Sequence, residues 1–214
     1  MKNESRVVSL NRGVRQQLQT GKKLIETGIF KQPVLGKVSV TAAGLVDDVI
    51  GNQKHHGGKD QALYLYSGDD YQWWSEETGR ALSPGTFGEN LTISGFRSAA
   101  LRIGDRFQIR DVLLEVTAPR IPCATLAARM GDPGFVKQFR QARRPGAYAR
   151  VLKPGMLQAG DAVEYIPTPE AHPTILDLFE LWYARERNAD LIHQALKAPI
   201  AARTRANLET WLDN

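Results

Sequence analysis

The sequence predicts a mainly β domain with a few inserted helices, followed by a small helical tail. Three observations lead there. The 214 residues, 42% of them hydrophobic, supply enough apolar material for one compact domain. Up to residue 166, short β-type runs alternate with Gly, Pro and Asp breakers. Beyond that point the hydrophobic repeat changes from a strand period to a helical one.

The β-type runs are 36–40, 62–66, 90–93, 106–109, 112–117, 147–152 and 162–166. In the fifth, Val112, Leu114 and Val116 point one way while Leu113, Glu115 and Thr117 point the other. Arg110-Asp111 suits a hairpin between the fourth and fifth runs. Many short strands in a chain of this length favour a closed or sandwiched β architecture. One inserted helix is predicted over 132–141, with Pro133 near its first turn. The β-rich domain is assigned to residues 1–166 and the tail to 167–214, with Pro167, Pro169 and Pro173 punctuating the join. In the tail, Ile175, Leu178, Phe179 and Trp182 share one helix face, Leu191, Ile192, Ala195 and Leu196 mark a second helix, and Leu208, Trp211 and Leu212 a third. Three such helices bury little by themselves, so they are expected to pack on the β domain or on a partner, with their aromatics as core.

Composition excludes several classes. No uninterrupted apolar run approaches the ~18 residues of a membrane span, and the polar start, MKNESRVVSLNRG, lacks a secretory leader's apolar segment. A cytoplasmic protein with no membrane partner is expected. The single cysteine, Cys123, excludes an internal disulfide framework and any multi-cysteine metal site within one chain. The sequence pI of about 9.4 arises locally: residues 120–153 carry eight basic side chains against Asp132 alone. This block is either a solvated basic face or a grip for an anionic ligand. Nucleic acid is not the expected partner, because only Phe135, Phe139 and Tyr148 interleave the basic residues. Nor does any G-x-G-x-x-G follow a strand, so no intrinsic nicotinamide or flavin site is expected.

Three stretches look like chemistry. Lys54-His55-His56-Gly57-Gly58-Lys59-Asp60 places paired glycines between two histidines and a strand, giving backbone that a ligand can approach closely. Phe87-Gly88-Glu89-Asn90-Leu91 sets a polar pair at a strand entry, either to orient a ligand or to tie down the loop. In Pro119-Arg120-Ile121-Pro122-Cys123, two prolines stiffen a loop that presents a guanidinium and a thiol three residues apart. Basic surroundings favour the thiolate, which binds metals or attacks electrophiles.

Together these stretches resemble a known family. The pattern KHHGGKDQALYLY at 54–66, FGENL at 87–91, IGDRF at 103–107, PRIPC at 119–123, RPGAYARVL at 144–152 and AGDAV at 159–163 is similar to the MOSC domain, named for the C-terminal part of molybdenum cofactor sulfurases. The resemblance covers about residues 5–166, and the tail is similar to the three-helix extension of bacterial stand-alone members. The chain departs from the family pattern at Asp47, where a glycine is usual, at Val49 and Ile50, where Arg and Gln are common, and at Ala147, where an aromatic is frequent. The first of these bear on the polar lining of the pocket near Asp48, and Ala147 on its width.

The resemblance implies a β-barrel-like domain that binds molybdenum cofactor (molybdopterin), with Cys123 as the metal's protein thiolate. A thiophilic ion already held by a pterin dithiolene needs only one protein sulfur. Lys54, His56, Gly57, Gly58, Asn90, Arg120 and Arg150 are the implied cofactor-binding residues, with Lys54, His56, Arg120 and Arg150 facing the phosphate. His56 or Asp60 is the candidate proton handler beside Cys123. The implied activity is detoxifying reduction of N-hydroxylated compounds, amidoximes and hydroxylamino bases, with electrons from a separate flavin- or haem-containing protein. Two alternatives stand beside it: a carrier of cofactor or sulfur without turnover, and a metal-free thiol enzyme pairing Cys123 with His55 or His56.

Overall fold

The computed structural model describes residues 4–51 and 57–213. Along the chain run strands β1 (Val7–Gly13), β2 (Gln16–Thr20), β3 (Lys23–Thr27), β4 (Lys31–Pro33), β5 (Val38–Thr41), β6 (Gly44–Leu45) and β7 (Leu63–Ser67), then helix α1 (Gly68–Thr78). There follow β8 (Leu91–Ile93), β9 (Arg106–Ile109), β10 (Val112–Pro119), helices α2 (Ala124–Met130) and α3 (Phe135–Ala142), β11 (Ala147–Lys153), β12 (Gly155–Leu157) and β13 (Glu164–Ile166). The tail is α4 (Ile175–Tyr183), α5 (Ala189–Lys197) and α6 (Ala202–Leu212).

Eight strands form one mixed sheet in the order β13-β9-β10-β11-β7-β8-β1-β4. Among the described residues its only parallel pair, β7 with β8, is bridged by α1, as a crossover connection requires. The sheet then curls until its ends meet. Arg6 bridges Ala162, Val7 N–H donates to Asp161 O at 2.9 Å, and Val163 N–H donates to Ser5 O at 2.8 Å. This joins the start of β1 to the segment entering β13 and leaves a barrel-like closure with few unpaired edges. The predicted mainly β class is therefore observed, with six α-helices around it among the described residues.

Local chemistry explains the elements. β9 spans the predicted residues, and β10 runs two residues past its predicted end with Val112, Leu114 and Val116 fully buried. Ser67 caps α1 by accepting from Asp69 N–H, and Gly79 ends it with φ +63°, a conformation that a side chain would strain. Thr174 and Asp177 form a reciprocal capping box at the start of α4. The predicted helix over 132–141 is shorter, because Asp132 and Pro133 make the turn before α3 instead: Asp132 Oδ1 accepts from Gly134 N–H at 2.7 Å.

Two clusters hold the domain together. Leu10, Leu65, Leu91, Ile103, Leu114 and Ala149 fill the barrel, and Ile175, Leu178, Leu181, Ile192 and Leu208 of the tail belong to the same core. The tail thus packs on the β domain, as its small apolar content requires. Ala147 belongs to this core and does not line the pocket, so its effect on pocket width is not direct. The second cluster is aromatic: Tyr66, Trp74, Phe87, Phe135, Phe139 and Phe179 join α1, α3 and α4. Trp74 Nε1–H donates to the Tyr66 hydroxyl at 2.7 Å, satisfying the one polar atom of that indole. Trp211 is half-buried and packs against the core, whereas Trp182, which meets it edge to face, is 37% exposed and differs from the core expectation. No helix among the described residues is long and apolar enough to cross a membrane.

Phe179 is 1% exposed and touches Phe139 at 6.5 Å between ring centres, so it pins the tail to the aromatic cluster. Phe179→Ala is expected to destabilise the fold by about 3–5 kcal/mol, read as a lower urea midpoint with the two-state slope retained.

Candidate functional site

A cavity of about 260 Å³ lies between the β2–β3 hairpin, the loop after β6, and the loop 119–123 that leaves β10. Its polar wall includes Lys31, Asp48, Asn90, Arg120 and Cys123, and its apolar wall includes Ile29, Val49 and Ile50. Both glycines at the stem of the hairpin are needed there. A Cβ on Gly13 would lie 2.1 Å from Gly28 O, and one on Gly28 would lie 1.9 Å from Val49 O.

The hub of the polar wall is Asp48. Lys31 Nζ donates to both its oxygens at 2.6 Å, Gly13 N–H donates to Oδ1 at 2.8 Å and Asn90 Nδ2 donates to Oδ2 at 2.8 Å. The Lys31 and Asp48 side chains are only 8% and 6% exposed. Burial pulls the Lys31 pKa below its ordinary value, while the adjacent Asp48 carboxylate and then Glu89 act in the other direction. Sequence reading missed Lys31 altogether, since nothing local distinguishes the Lys of K-Q-P from a surface residue. The preceding Asp47 has φ +63°, the left-handed conformation that explains why glycine is usual at that position.

Asn90 also accepts from Tyr64 N–H at 3.1 Å, so it both lines the cavity and ties β7 to β8. Glu89 does the second job suggested by sequence, tying down the loop. Its Oε1 accepts from Gly85 N–H at 2.6 Å, the Tyr71 hydroxyl at 2.7 Å and the Thr92 hydroxyl at 2.8 Å. Burial pushes its carboxyl above the ordinary glutamate range, against those three bonds.

Arg120 is 4% exposed and stacks at 5.7 Å from the ring centres of both Tyr64 and Phe139. Its Nη1 is buried with no hydrogen-bond partner among the described residues. Cys123 is half-buried, is not in a disulfide, and stands within electrostatic reach of Arg120. The cavity therefore brings together Gly57, Asn90, Arg120 and Cys123 of the residues singled out by sequence. Lys54, His55 and His56 lie outside the described residues.

Asp60 and Arg150 do not line this cavity, and their bonds run toward the tail instead. Asp60 Oδ2 accepts from Ala202 N–H at 2.9 Å, and its other oxygen pairs with Arg150 at 3.2 Å. Arg150 also donates to Pro199 O and Ile200 O at 3.0 and 3.2 Å. The two side chains anchor the tail to the barrel, because the helical extension supplies the carbonyls and amide that a lone β domain would leave to solvent. Gly58 does not line the cavity; its φ of +86° shapes the turn beside Gly57. Two further motifs are also structural. Asp105 of the 103–107 motif accepts from Arg102 N–H, Thr168 N–H and the Tyr165 hydroxyl, and Asp161 of the 159–163 motif closes its turn on Gln158 N–H. In the 144–152 motif, the Arg144 and Pro145 carbonyls accept from Tyr66 and Tyr64, and Gly146 leaves room that a Cβ, 2.6 Å from Tyr64, would fill.

A barrel-like sheet thus presents one thiol and one buried, incompletely bonded guanidinium to a single cavity. The chain belongs to the MOSC domain family, whose model matches residues 52–164. YflK of Bacillus subtilis is 33% identical over 89% of this chain and 86% of its own length. A protein of Gibberella moniliformis named "Reductase" is 31% identical over 82% of this chain, which spans only 32% of that larger protein. The crystal structure of YiiM from Geobacillus stearothermophilus superposes with a TM-score of 0.80 at 26% identity, covering 96% of this chain and 98% of that one.

The buried networks set two expected outcomes. Lys31→Ala leaves Asp48 without its cation and should cost about 3–5 kcal/mol in denaturant titration. Folded Glu89 holds its proton to higher pH than the unfolded chain, whose value is near 4.5, so its ionisation penalises folding as pH rises from there toward the folded value. Glu89→Gln removes that penalty. Urea midpoints measured at about pH 4 and about pH 7 should show the variant gaining on wild type at the higher pH.

Proposed function

We propose that this protein binds molybdenum cofactor and reduces N-hydroxylated compounds with electrons from a separate flavin- or haem-containing reductase. The observation that carries the reading is the buried Arg120 Nη1, a charged donor with no protein partner among the described residues, on the same cavity as the sole cysteine. A buried cation without an anion is costly unless a ligand supplies one. A pterin phosphate would do so, and a thiophilic metal would take the Cys123 thiolate. The residues present therefore fit the group. The name of the fungal relative supports reductive chemistry, and membership of a family named for molybdenum cofactor sulfurases supports the cofactor.

When bound, the cofactor supplies a two-electron metal centre, and the net reaction converts R–NH–OH, two electrons and two protons into R–NH₂ and water. The chain's own tasks follow from the cavity. Arg120 holds the anion, and its stacking on Tyr64 and Phe139 keeps the guanidinium plane in place. Cys123, between the stiff Pro122 and the start of α2, presents sulfur without rearrangement. Ile29, Val49 and Ile50 keep the wall apolar and limit access by water. Lys31 Nζ, held by Asp48, is the described ammonium on this wall and can hold a proton at the cavity.

Elemental analysis for molybdenum with fluorescence of the oxidised pterin, on protein from a host that makes the cofactor, tests the reading. Near-stoichiometric molybdenum in wild type and its loss in Cys123→Ser is the expected result. Equal metal in both would remove the thiolate ligand, and sulfane sulfur on Cys123 without molybdenum would favour the carrier. Arg120→Met should weaken cofactor retention by about 2–5 kcal/mol. The same change should leave the cofactor-free protein as stable as wild type or more so, because it removes a buried charge. A destabilised cofactor-free variant would show that Arg120 serves the fold.

A further inference from the structure

The basic block of residues 120–153 is only partly used by the site. Arg120 faces the cavity, Arg150 pairs with Asp60, Arg144 with Asp70, and Arg129 stacks on Phe30. Lys137, Arg140 and Arg143 stand together on a different surface, along a groove of about 460 Å³ between α3 and α4. All three are exposed. Arg143 meets Glu180 at 2.7 Å, while Lys137 and Arg140 pair with no carboxylate among the described residues. The rim is therefore positive. Buried Phe179 and half-buried Tyr183 line the floor, 5.4 Å apart between ring centres. The Arg140 guanidinium lies 4.4 Å from the Tyr183 ring centre, which holds that cation at the rim. Inward, Phe179 packs on Phe139, and Phe139 on Arg120. Burial pushes the Tyr183 hydroxyl above the usual phenol value, and Arg140 and then Arg120 act against it, so one ring stands within electrostatic reach of both rim and cavity. Packed aromatic rings thus lie between the groove and the Arg120 wall, and the two spaces share no lining residue.

We propose that this groove is the docking surface for an acidic, flavin-bearing electron donor, whose carboxylates seat against Lys137 and Arg140 and bring the reduced flavin up to the aromatic layer. This rests on the reductive reading above, which takes electrons from a separate protein, and it assigns the face at which they enter. Contacts between redox partners are small and transient, so charge rather than buried area guides the encounter. Arginine and tyrosine are the side chains that carry most energy in such contacts. Nucleic acid fits the groove less well, because Arg140 already occupies the Tyr183 ring on which a base would stack. Since no residue lines both spaces, the donor docks without entering the cavity left to substrate. Each encounter passes one electron from the reduced flavin. Two encounters, with two protons, convert the N–O bond of the substrate into N–H and water.

The test follows benzamidoxime reduction by the cofactor-loaded protein with two electron sources: reduced flavodoxin, a small acidic flavoprotein, and reduced methyl viologen, which needs no docking surface. The double variant Lys137→Glu, Arg140→Glu is expected to raise KM for flavodoxin by about tenfold at low salt, with methyl viologen kinetics within about twofold of wild type. High salt should bring the wild-type KM toward that of the variant. Lys137→Arg with Arg140→Lys, which keeps both charges, should restore most of the loss. Equal losses with both electron sources, or no change with either, would overturn the proposal. Calorimetric titration of flavodoxin without substrate keeps it separate from the reductive reading. Binding to wild type that weakens by about tenfold in the charge-reversed variant supports the groove even if benzamidoxime is not reduced. No binding to wild type, identical binding to both proteins, or charge-dependent binding of single-stranded RNA in place of flavodoxin overturns it even if the molybdenum analysis succeeds.

Discussion

The buried carboxylate of Asp48 is the constraint on which the site depends. It collects Lys31 from the start of β4, the Gly13 amide from the end of β1 and Asn90 from the approach to β8. Three parts of the chain far apart in sequence therefore meet at one pair of oxygens. A carboxylate removed from water is tolerated only when its lone pairs are used, and here four donated bonds use them. The hairpin stem rests against this knot, and the glycine contacts at Gly13 and Gly28 let it sit close enough to wall the cavity.

Against that satisfied network, Arg120 is conspicuous. Asp48 and the Glu89 Oε1 are bonded by the protein itself and act as scaffolding. Arg120 is just as buried, yet one of its nitrogens has no partner among the described residues. Glu89 Oε2 and Arg150 Nε lack a partner in the same way, but of the described residues with such a buried atom Arg120 alone lines the cavity. A buried charge left incompletely bonded costs folding stability, and under the function proposed above a ligand would return that cost as binding.

Much of the fold was legible because its signals are local. The runs at 62–66, 106–109 and 112–117 emerge as β7, β9 and β10 within two residues at either end, and the tail faces appear as α4, α5 and α6. The elements that sequence reading omitted have weak patterns for identifiable reasons. β1 is buried on both faces along much of its length, so it lacks alternation. β2 and β3 are largely polar, and α1 mixes Asp, Glu, Gln and Trp with little periodicity. At the site, Arg120, Cys123, Asn90 and Gly57 were recognisable from their motifs. Arg150 and Asp60 belong to the same motifs, but they pair with each other and with backbone groups of the tail, more than 40 residues away in the chain from Arg150 and further from Asp60.

The sequence by itself determined the class of fold, the family, the single cysteine and the proline-flanked loop that carries it, because turn residues, periodicity and proline act on neighbours in the chain. Only the tertiary structure decided which charges are satisfied. Lys31 is paired with Asp48, Arg150 is bonded to Asp60 and the tail, and of the three Arg120 alone brings an unbonded donor to the cavity among the described residues, a distinction that no composition or spacing makes. The reason is physical: the free energy of a buried charge depends on what closure of the barrel and docking of the tail bring within about 3 Å of it.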